Sequence, residues 1–438
     1  MRILSITAGA AGMYCGSCAR DNALAVELLA RGHDVTLLPL YTPTTTDETN
    51  VSESHVLFGG ISIYLQQHLA LFRRTPRFLD RLWDSPSVIR ALASRSISTD
   101  PRLLGDLTLS MLEGNRGVLR KEFDKLLDWL ASEPVPDIVN LPNSLLIGLA
   151  TPLAKALKRP ICCTLQGEDL FLQDLVEPYR HQALELIRRQ VPDVDRFLPV
   201  SDYYVPVMSR LLDIPSDRMA VVPLGVNMTG YRRHQARGPE FRVGYFARIA
   251  PEKGLQVLAD AYVEFRRRTG DAPVRLDAAG YLSRAHEPYL NDVRRRLADV
   301  GLAHEFTYHG AVDRAGKFAV LESFDVLSVP ATYDEPKGVF LLEAMAAGVP
   351  VVQPRRGAFT EIVEKTGGGL LVAPDDPSAL ADGLYALWKD PDRARILGDR
   401  GFHGVREHYG IAHAADCLMQ VYEAVTNRDV MRPAVVGA

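Results

Sequence analysis

Two carboxylates and two cations carry the strongest chemical signal in this chain. Glu335 and Glu343 bracket the run Glu-Pro-Lys-Gly-Val-Phe-Leu-Leu-Glu, which follows an apolar run ending at Pro330. Pro336 and Gly338 break the backbone, so the spacing predicts Glu335 in a loop and Glu343 inside the helix that follows. At about 1.5 Å of rise per residue, both carboxylates can flank one helix N-terminus. An ionised carboxylate only accepts hydrogen bonds and can take two hydroxyl donors at once, as a ribose or hexose diol presents them. Free N–H groups near Gly338 and Val339, at the positive end of the helix, suit an oxygen-rich or anionic group. The same pair also reads as a first-turn acid followed by an ordinary exposed helix Glu. Asp334 beside Glu335 adds like-charge repulsion, which makes a purely structural role less comfortable.

The cations lie in Ala247-Arg248-Ile-Ala-Pro-Glu-Lys253-Gly254, which leaves a predicted strand and enters a predicted helix at Pro251. Arg248 projects from the strand end and Lys253 stands at the helix N-terminus. A cation there opposes the macrodipole unless an anion sits between. Diphosphate is such an anion, and an Arg, a Lys and helix N–H groups would hold it without metal. Taken alone, the two cations also fit a solvated surface pair.

The elements that position these residues alternate strand and helix. Arg2 to Thr7 reads as a strand, Ala8 to Gly16 as a glycine-rich loop, Cys18 to Ala30 as a helix stopped by Gly32, and Val35 to Leu40 as a second strand. Further strands are predicted over Pro136 to Leu141, Pro160 to Leu165, Arg196 to Val200 and Met219 to Pro223, with helices over Ile61 to Phe72, Arg120 to Leu130 and Ser144 to Leu157. Thr229 to Pro239 is polar and basic and reads as a linker. The alternation then restarts: strands Phe241 to Phe246, Val274 to Ala279, Glu305 to His309, Val326 to Pro330 and Pro350 to Gln353, with helices Leu255 to Arg268, Pro288 to Val300 and Gly338 to Ala347. Such βα alternation implies α/β domains on parallel sheets, whose ligands sit beyond the carboxyl ends of the strands.

The 438 residues exceed what one core organises, so two to four domains are expected. Apolar residues make up 47% and charged residues 24%, which excludes disorder as the main state. Fifty basic against 54 acidic residues argue against a nucleic-acid-coating protein, which needs a basic face. Five cysteines, an odd number, do not make a disulfide framework. The start lacks the apolar stretch of a signal peptide, and no run is long enough for a membrane span. A reduced, cytoplasmic, soluble protein is the expectation.

The order strand–Arg-x4-Lys-Gly–helix, then Glu-x7-Glu-Ala-Met-Ala-x-Gly-x-Pro-Val, resembles the retaining glycosyltransferases of family 4. The resemblance implies the GT-B fold, two Rossmann-like α/β domains facing each other across a cleft. Its domains would be residues 1–228 on the acceptor side, a linker at 229–240, and 241–405 for the nucleotide sugar. A C-terminal helix within 406–438, over Ala412 to Ala424, would cross back to the first domain. It also implies metal-independent transfer of a hexose, with retention, from a nucleotide-diphosphate sugar to an acceptor hydroxyl. No cofactor beyond that co-substrate is implied.

Residue by residue, the resemblance assigns Arg248 and Lys253 to the diphosphate, Glu335 to the sugar hydroxyls and Glu343 to the ribose. Backbone at Gly338 and Val339 would meet the sugar or distal phosphate. Gly310 falls where family members line the base pocket, and Gly16 would let backbone approach the donor. Gly357 and Glu361 match a Gly-x3-Glu turn of mainly structural use. Gln166 stands where the family usually has a His, and with Glu168 and Asp169 forms a candidate contact set for sugar or acceptor. The first half carries two further departures: Cys15 replaces the first of two glycines, and Asn140-Leu-Pro-Asn143 lacks a second usual His.

Alternatives are a sugar phosphorylase of the same fold, a non-catalytic nucleotide-sugar binder, and a redox protein built on Cys15-Gly-Ser-Cys18. The zinc reading of the cysteines fails, because Cys162 and Cys163 are adjacent without ligand spacing. The acceptor (saccharide, lipid or small metabolite) is open. The basic, aromatic run from Phe72 to Trp83 fits either peripheral membrane contact or a solvated face over an apolar stripe. His309, His403 and His408 read as structural or surface residues.

Overall fold

Short buried apolar runs build a parallel sheet in the first half of the chain. A computed structural model describes residues 1–9, 16–44, 46–53, 58, 104–233, 238 and 240–430, with side chains to 427. The predicted helix over Ile61 to Phe72, the basic aromatic run and Cys15 lie outside the described residues. The chain divides into two units, Met1–Pro223 with Ala414–Ala438, and Leu224–His413.

In the first unit, strands β1 (Arg2–Thr7), β2 (Asp34–Pro39), β3 (Ile138–Leu141), β4 (Ile161–Leu165) and β5 (Arg196–Pro199) are all parallel, in the order β2-β1-β3-β4-β5. Every residue of β3 and β4 is buried, as expected of strands covered on both faces. Helix Gly16–Ala30 joins β1 to β2. Gly32, at φ +84°, ends it by a reversal that places the His33 N–H 3.1 Å from the Leu28 carbonyl. The core gathers Ile6, Leu38, Val139, Leu165 and Phe197 under helices that contribute Ala183, Ile187, Tyr204 and Met208.

Two expectations are corrected here. Met219 to Pro223 forms no ladder: Met219 makes an isolated bridge to Phe197, and Ala220 and Val222 donate to the carbonyls of Phe197 and Pro199. Pro223 has no N–H with which to continue. The helix predicted over Ser144 to Leu157 is a 3₁₀ segment, Ser144–Leu149, followed by an α-helix, Ala150–Leu157. Gly148 sits so close to the Met111 carbonyl that a Cβ would lie 2.1 Å from its oxygen.

In the second unit, β6 (Phe241–Phe246), β7 (Val274–Ala279), β8 (Phe306–Tyr308), β9 (Val326–Leu327), β10 (Val351–Pro354) and β11 (Gly369–Val372) run in the order β8-β7-β6-β9-β10-β11. The chain builds outward from β6 to β8, then returns to the other side of β6. The strand order therefore reverses between β6 and β9, the position where open parallel sheets bind ligands. β9 pairs over two residues rather than the five expected. Ser328 still donates to the Gly244 carbonyl, but Ala331 already turns back on Val329, 2.8 Å from its oxygen.

Tyr231, in the stretch expected to be a linker, is buried and packs edge-on against Phe318 with ring centroids 4.7 Å apart. The Gly-x3-Glu stretch expected as a turn opens helix Gly357–Thr366. Helices Pro377–Lys389 and Pro391–His408 start on Asp376 and Asp390, whose side chains accept from the N–H groups of Ala379 and Arg393. The terminal helix spans Ile411–Val430, and its residues from Ala414 belong to the first unit.

Candidate functional site

Backbone bonds stitch together four loops at the carboxyl edge of the second sheet. Ala247 and Ile249, after β6, donate to Ala279, the last residue of β7, and to Tyr281 beyond it, and Gly280 donates to Gly310, after β8, at 2.9 Å. Thr332, after β9, donates to the Glu252 carbonyl at 3.0 Å. Gly254, at φ +76°, caps helix Leu255–Thr269, and a Cβ there would lie 1.8 Å from the Pro330 oxygen. Only glycine lets the loop carrying Lys253 lie this close to the loop carrying Glu335.

The side chains follow from that frame. Lys253 Nζ lies 2.7 Å from the Tyr333 hydroxyl, ion-pairs with Glu335 Oε2, and sits over the rings of Tyr333 and Phe340 at 5.0 and 5.5 Å. Tyr333 also donates to Glu335 Oε2. Glu335 is 2% exposed, and its backbone is clamped by the Gly357 turn, where Ala358 donates to the Glu335 carbonyl at 2.8 Å. Burial pushes the Glu335 carboxyl up. Lys253, Lys337 and the hydrogen bonds from Lys253 and Tyr333 outweigh it, so the group is held below the ordinary carboxyl range. Burial and then the Glu335 charge raise the Tyr333 phenol, which keeps it a donor. Among the described residues, both side-chain bonds to Glu335 fall on Oε2 and none falls on Oε1.

Arg248 is half-exposed and pairs with Glu252 at 2.5 Å on its own loop. Gly338, at φ +81°, caps helix Val339–Ala346, and as a glycine it offers no side chain to the helix's first N–H groups. Glu343 lies in the second turn of that helix. It is 7% exposed and held by Lys317 Nζ at 2.9 Å and the Tyr231 hydroxyl at 3.3 Å. Each of the two carboxylates thus has its own lysine. Gly310, at φ +78°, has open space where a side chain would stand.

The first-unit candidates are arranged differently. Gly16 is the first residue of its helix, with open space around it. Gln166 is buried, and its amide donates to the Pro142 carbonyl at 2.8 Å. Glu168 accepts from the Ser144 N–H and hydroxyl and from the Gln166 N–H at 2.7–3.0 Å, tying the loop after β4 to the loop after β3. Burial raises its carboxyl, and those bonds oppose the rise. Asp169 takes the Tyr204 hydroxyl at 2.5 Å. All three side chains bond within the unit, and Oε1 of Gln166 is buried with no hydrogen-bond partner among the described residues.

The thiols of Cys162 and Cys163 are pushed up by burial, and Cys18 is buried as well. No group of three or more metal-ligand side chains occurs among the described residues. His309 bonds Asp277 at 2.9 Å, in keeping with a structural residue. No helix among the described residues is long and apolar enough to cross a membrane.

Sequence reading missed Tyr333, Lys317 and Tyr231. Lys317 had a legible signal. It occupies the apolar stripe of helix Arg314–Glu322 with Leu321 one turn on, and both are buried. A lysine on such a stripe calls for a buried anion.

Two parallel α/β units, the second with paired carboxylates and cations at the point where its strand order reverses, define a GT-B architecture. Residues 19–225 match the family model described as a glycosyl transferase 4-like domain, and residues 240–390 match that of glycosyl transferases group 1. The chain belongs to this glycosyltransferase family. It is 28% identical over 260 residues to a D-inositol 3-phosphate glycosyltransferase of Nocardia farcinica, a match covering 57% of each chain. It is 35% identical over 176 residues to a phosphatidyl-myo-inositol mannosyltransferase of Mycobacterium leprae, covering 40% of this chain and 44% of that one. The chain thus spans about half the length of the curated relatives it matches. Among solved structures, sucrose-phosphate synthase of Thermosynechococcus elongatus shares the fold at a TM-score of 0.71 and 18% identity, over 98% of this chain and 99% of that one. Anabaena HepE in complex with UDP-glucose shares it at 0.64 and 14%, over 97% and 100%.

Proposed function

We propose that the protein is a retaining hexosyltransferase that moves a sugar from a nucleotide-diphosphate donor to an acceptor hydroxyl without a metal ion. The observation that carries this reading is the Lys253–Glu335 pair, buried at the strand-order reversal beside a helix N-terminus that starts on Gly338. Family membership and the UDP-glucose bound by a protein of the same fold support it.

In this reading the bond from the anomeric carbon to the diphosphate oxygen breaks, and the acceptor oxygen bonds that carbon on the same face. The acceptor proton passes to the departing phosphate oxygen. Lys253 and Arg248 stabilise the charge that grows on the leaving group, an electrostatic contribution already oriented before reaction. Glu335, ionised and fixed by Tyr333, receives sugar hydroxyls on Oε1 and orients the ring. Gly338 and Val339 offer their backbone to the sugar or distal phosphate, Glu343 takes the ribose, and Gly310 leaves room for the base. Gly16, at a helix start, would let backbone approach the donor. The relatives' names make inositol phosphate and phosphatidyl-inositol lipids the first acceptors to screen; a cytoplasmic location with peripheral membrane contact completes the reading.

The test is thermal stability with UDP, GDP, ADP and their sugars, with and without EDTA. A ligand that binds the native state raises the melting temperature. One nucleotide raising it equally in EDTA is the expected result. A shift abolished by EDTA would overturn metal independence, and no shift at millimolar nucleotide would overturn the donor assignment.

A further inference from the structure

The second carboxylate of the site is built into a device of its own, and this inference rests on the nucleotide-sugar reading above. Glu343 is 7% exposed, Lys317 6% and Tyr231 8%. Nζ of Lys317 and the hydroxyl of Tyr231 converge on the same oxygen, Oε1, at 2.9 and 3.3 Å. Helix Arg314–Glu322 supplies the lysine, helix Val339–Ala346 the glutamate, and the tyrosine comes from the stretch ahead of β6. The tyrosine is itself held in place. Its ring meets Phe318 edge-on, Gly230 leaves no room for a Cβ against that ring, and Arg314 both stacks on Phe318 at 5.0 Å and donates to the Thr229 carbonyl at 2.9 Å.

A buried carboxylate needs a countercharge and a fixed rotamer to act as a directional acceptor. Lys317 supplies the first. Lys317 and Tyr231 together supply the second, because two donors on one oxygen fix the plane of the carboxyl group. Both bonds fall on Oε1 among the described residues, so Oε2 is the oxygen left for a diol. We infer that Lys317 and Tyr231 are positioning residues: they hold Glu343 so that it reads the hydroxyls of the donor's ribose, and discrimination between ribose and deoxyribose depends on them. Neither residue touches the reacting atoms.

A residue that only stabilises the fold would change the melting temperature and leave that discrimination intact. The full chain is therefore titrated calorimetrically with UDP, GDP and ADP and with the 2′-deoxy form of each, for the parent, Lys317→Met, Lys317→Arg and Tyr231→Phe. The parent is expected to prefer the ribonucleotide it binds by about tenfold, the size of one hydrogen bond to a charged group. Lys317→Met should weaken ribonucleotide binding about tenfold and leave the deoxy form nearly unchanged, so that the preference collapses. Lys317→Arg should restore most of it. Tyr231→Phe keeps the ring packed on Phe318 and should lose two- to fourfold of the preference. Tyr231→Phe and Lys317→Arg also carry the test if Lys317→Met does not fold.

Three outcomes would overturn the inference. Lys317→Met could bind both forms more weakly with the parent's preference intact, the parent could show no preference, or Tyr231→Phe could behave as the parent does. A parent that binds none of the three nucleotides would instead remove the nucleotide reading itself, and this inference with it.

Discussion

Burial pushes the carboxyl of Glu335 up, while Lys253, Lys337 and two hydrogen bonds push it further down. A carboxylate whose folded pKa lies below its unfolded value adds stability above the unfolded value, and that stability is lost as pH falls through the folded one. The window therefore opens below the ordinary Glu value of 4.5. Urea unfolding at a series of pH values should show the parent losing stability below that point more steeply than Glu335→Gln, and equal slopes would contradict this account of the charge. Lys253 and Arg248 are expected to differ. Lys253 is mostly buried, whereas Arg248 is half-exposed and already paired with Glu252. Lys253→Met should weaken nucleotide-diphosphate binding by roughly ten- to a hundredfold, since a charge-assisted bond contributes about 1.5–3 kcal/mol. Arg248→Ala should weaken it only a few-fold, because exposed charges are screened. Calorimetric titration ranks the two, and the reverse order would show that burial is the wrong guide to their roles.

Gly357 shows how one turn holds the chemistry. Its φ is +51°, and a Cβ there would stand 2.4 Å from the Glu335 carbonyl oxygen. Gly357→Ala therefore adds a left-handed penalty of about 1–2 kcal/mol and pushes on the backbone that carries the carboxylate. We expect a lower melting temperature and a fall in transfer rate larger than the fall in nucleotide affinity; an unchanged rate would mean that the turn does not place Glu335. Strands β6 and β7 were legible to the residue, because apolar side chains recur at every second position (Phe241, Val243, Tyr245; Val274, Leu276, Ala278) between turn residues. β11 was not: Gly367-Gly-Gly369 reads as a loop, and the strand forms because Val351 to Pro354 offer it an edge in register. The caps Asp376-Pro and Asp390-Pro announced two helices in plain sequence and went unread. At the site, Lys253 and Glu335 could be picked out from their places in loops. Lys317 and Tyr231 lie 26 and 112 residues from Glu343, and only the packing of helix Arg314–Glu322 brings them to it.

The terminal helix ties the last stretch of chain to the first unit. Ala414, Ala415, Leu418, Tyr422 and Val425 are buried, and Tyr422 lines a small internal cavity together with Arg20 and Asp21. Removing a large buried aromatic costs about 3–5 kcal/mol. Tyr422→Ala should then lower the melting temperature by on the order of 10 °C, at roughly 2–4 °C per kcal/mol for a unit of this size. A shift of a degree or two would mean that the helix contributes little to the fold of that unit.

All five cysteines, at positions 15, 18, 162, 163 and 417, fall in the first unit, and the second has none. Cys18, Cys162 and Cys163 are buried. A thiol reagent can reach those three only when the first unit opens, so the labelling rate at these positions, resolved from the partly exposed Cys417, is a native clock for that unit. The nucleotide site proposed above is built almost entirely from the thiol-free unit. Labelling followed with and without UDP, GDP or ADP would therefore read directly whether a ligand bound in one half slows the breathing of the other.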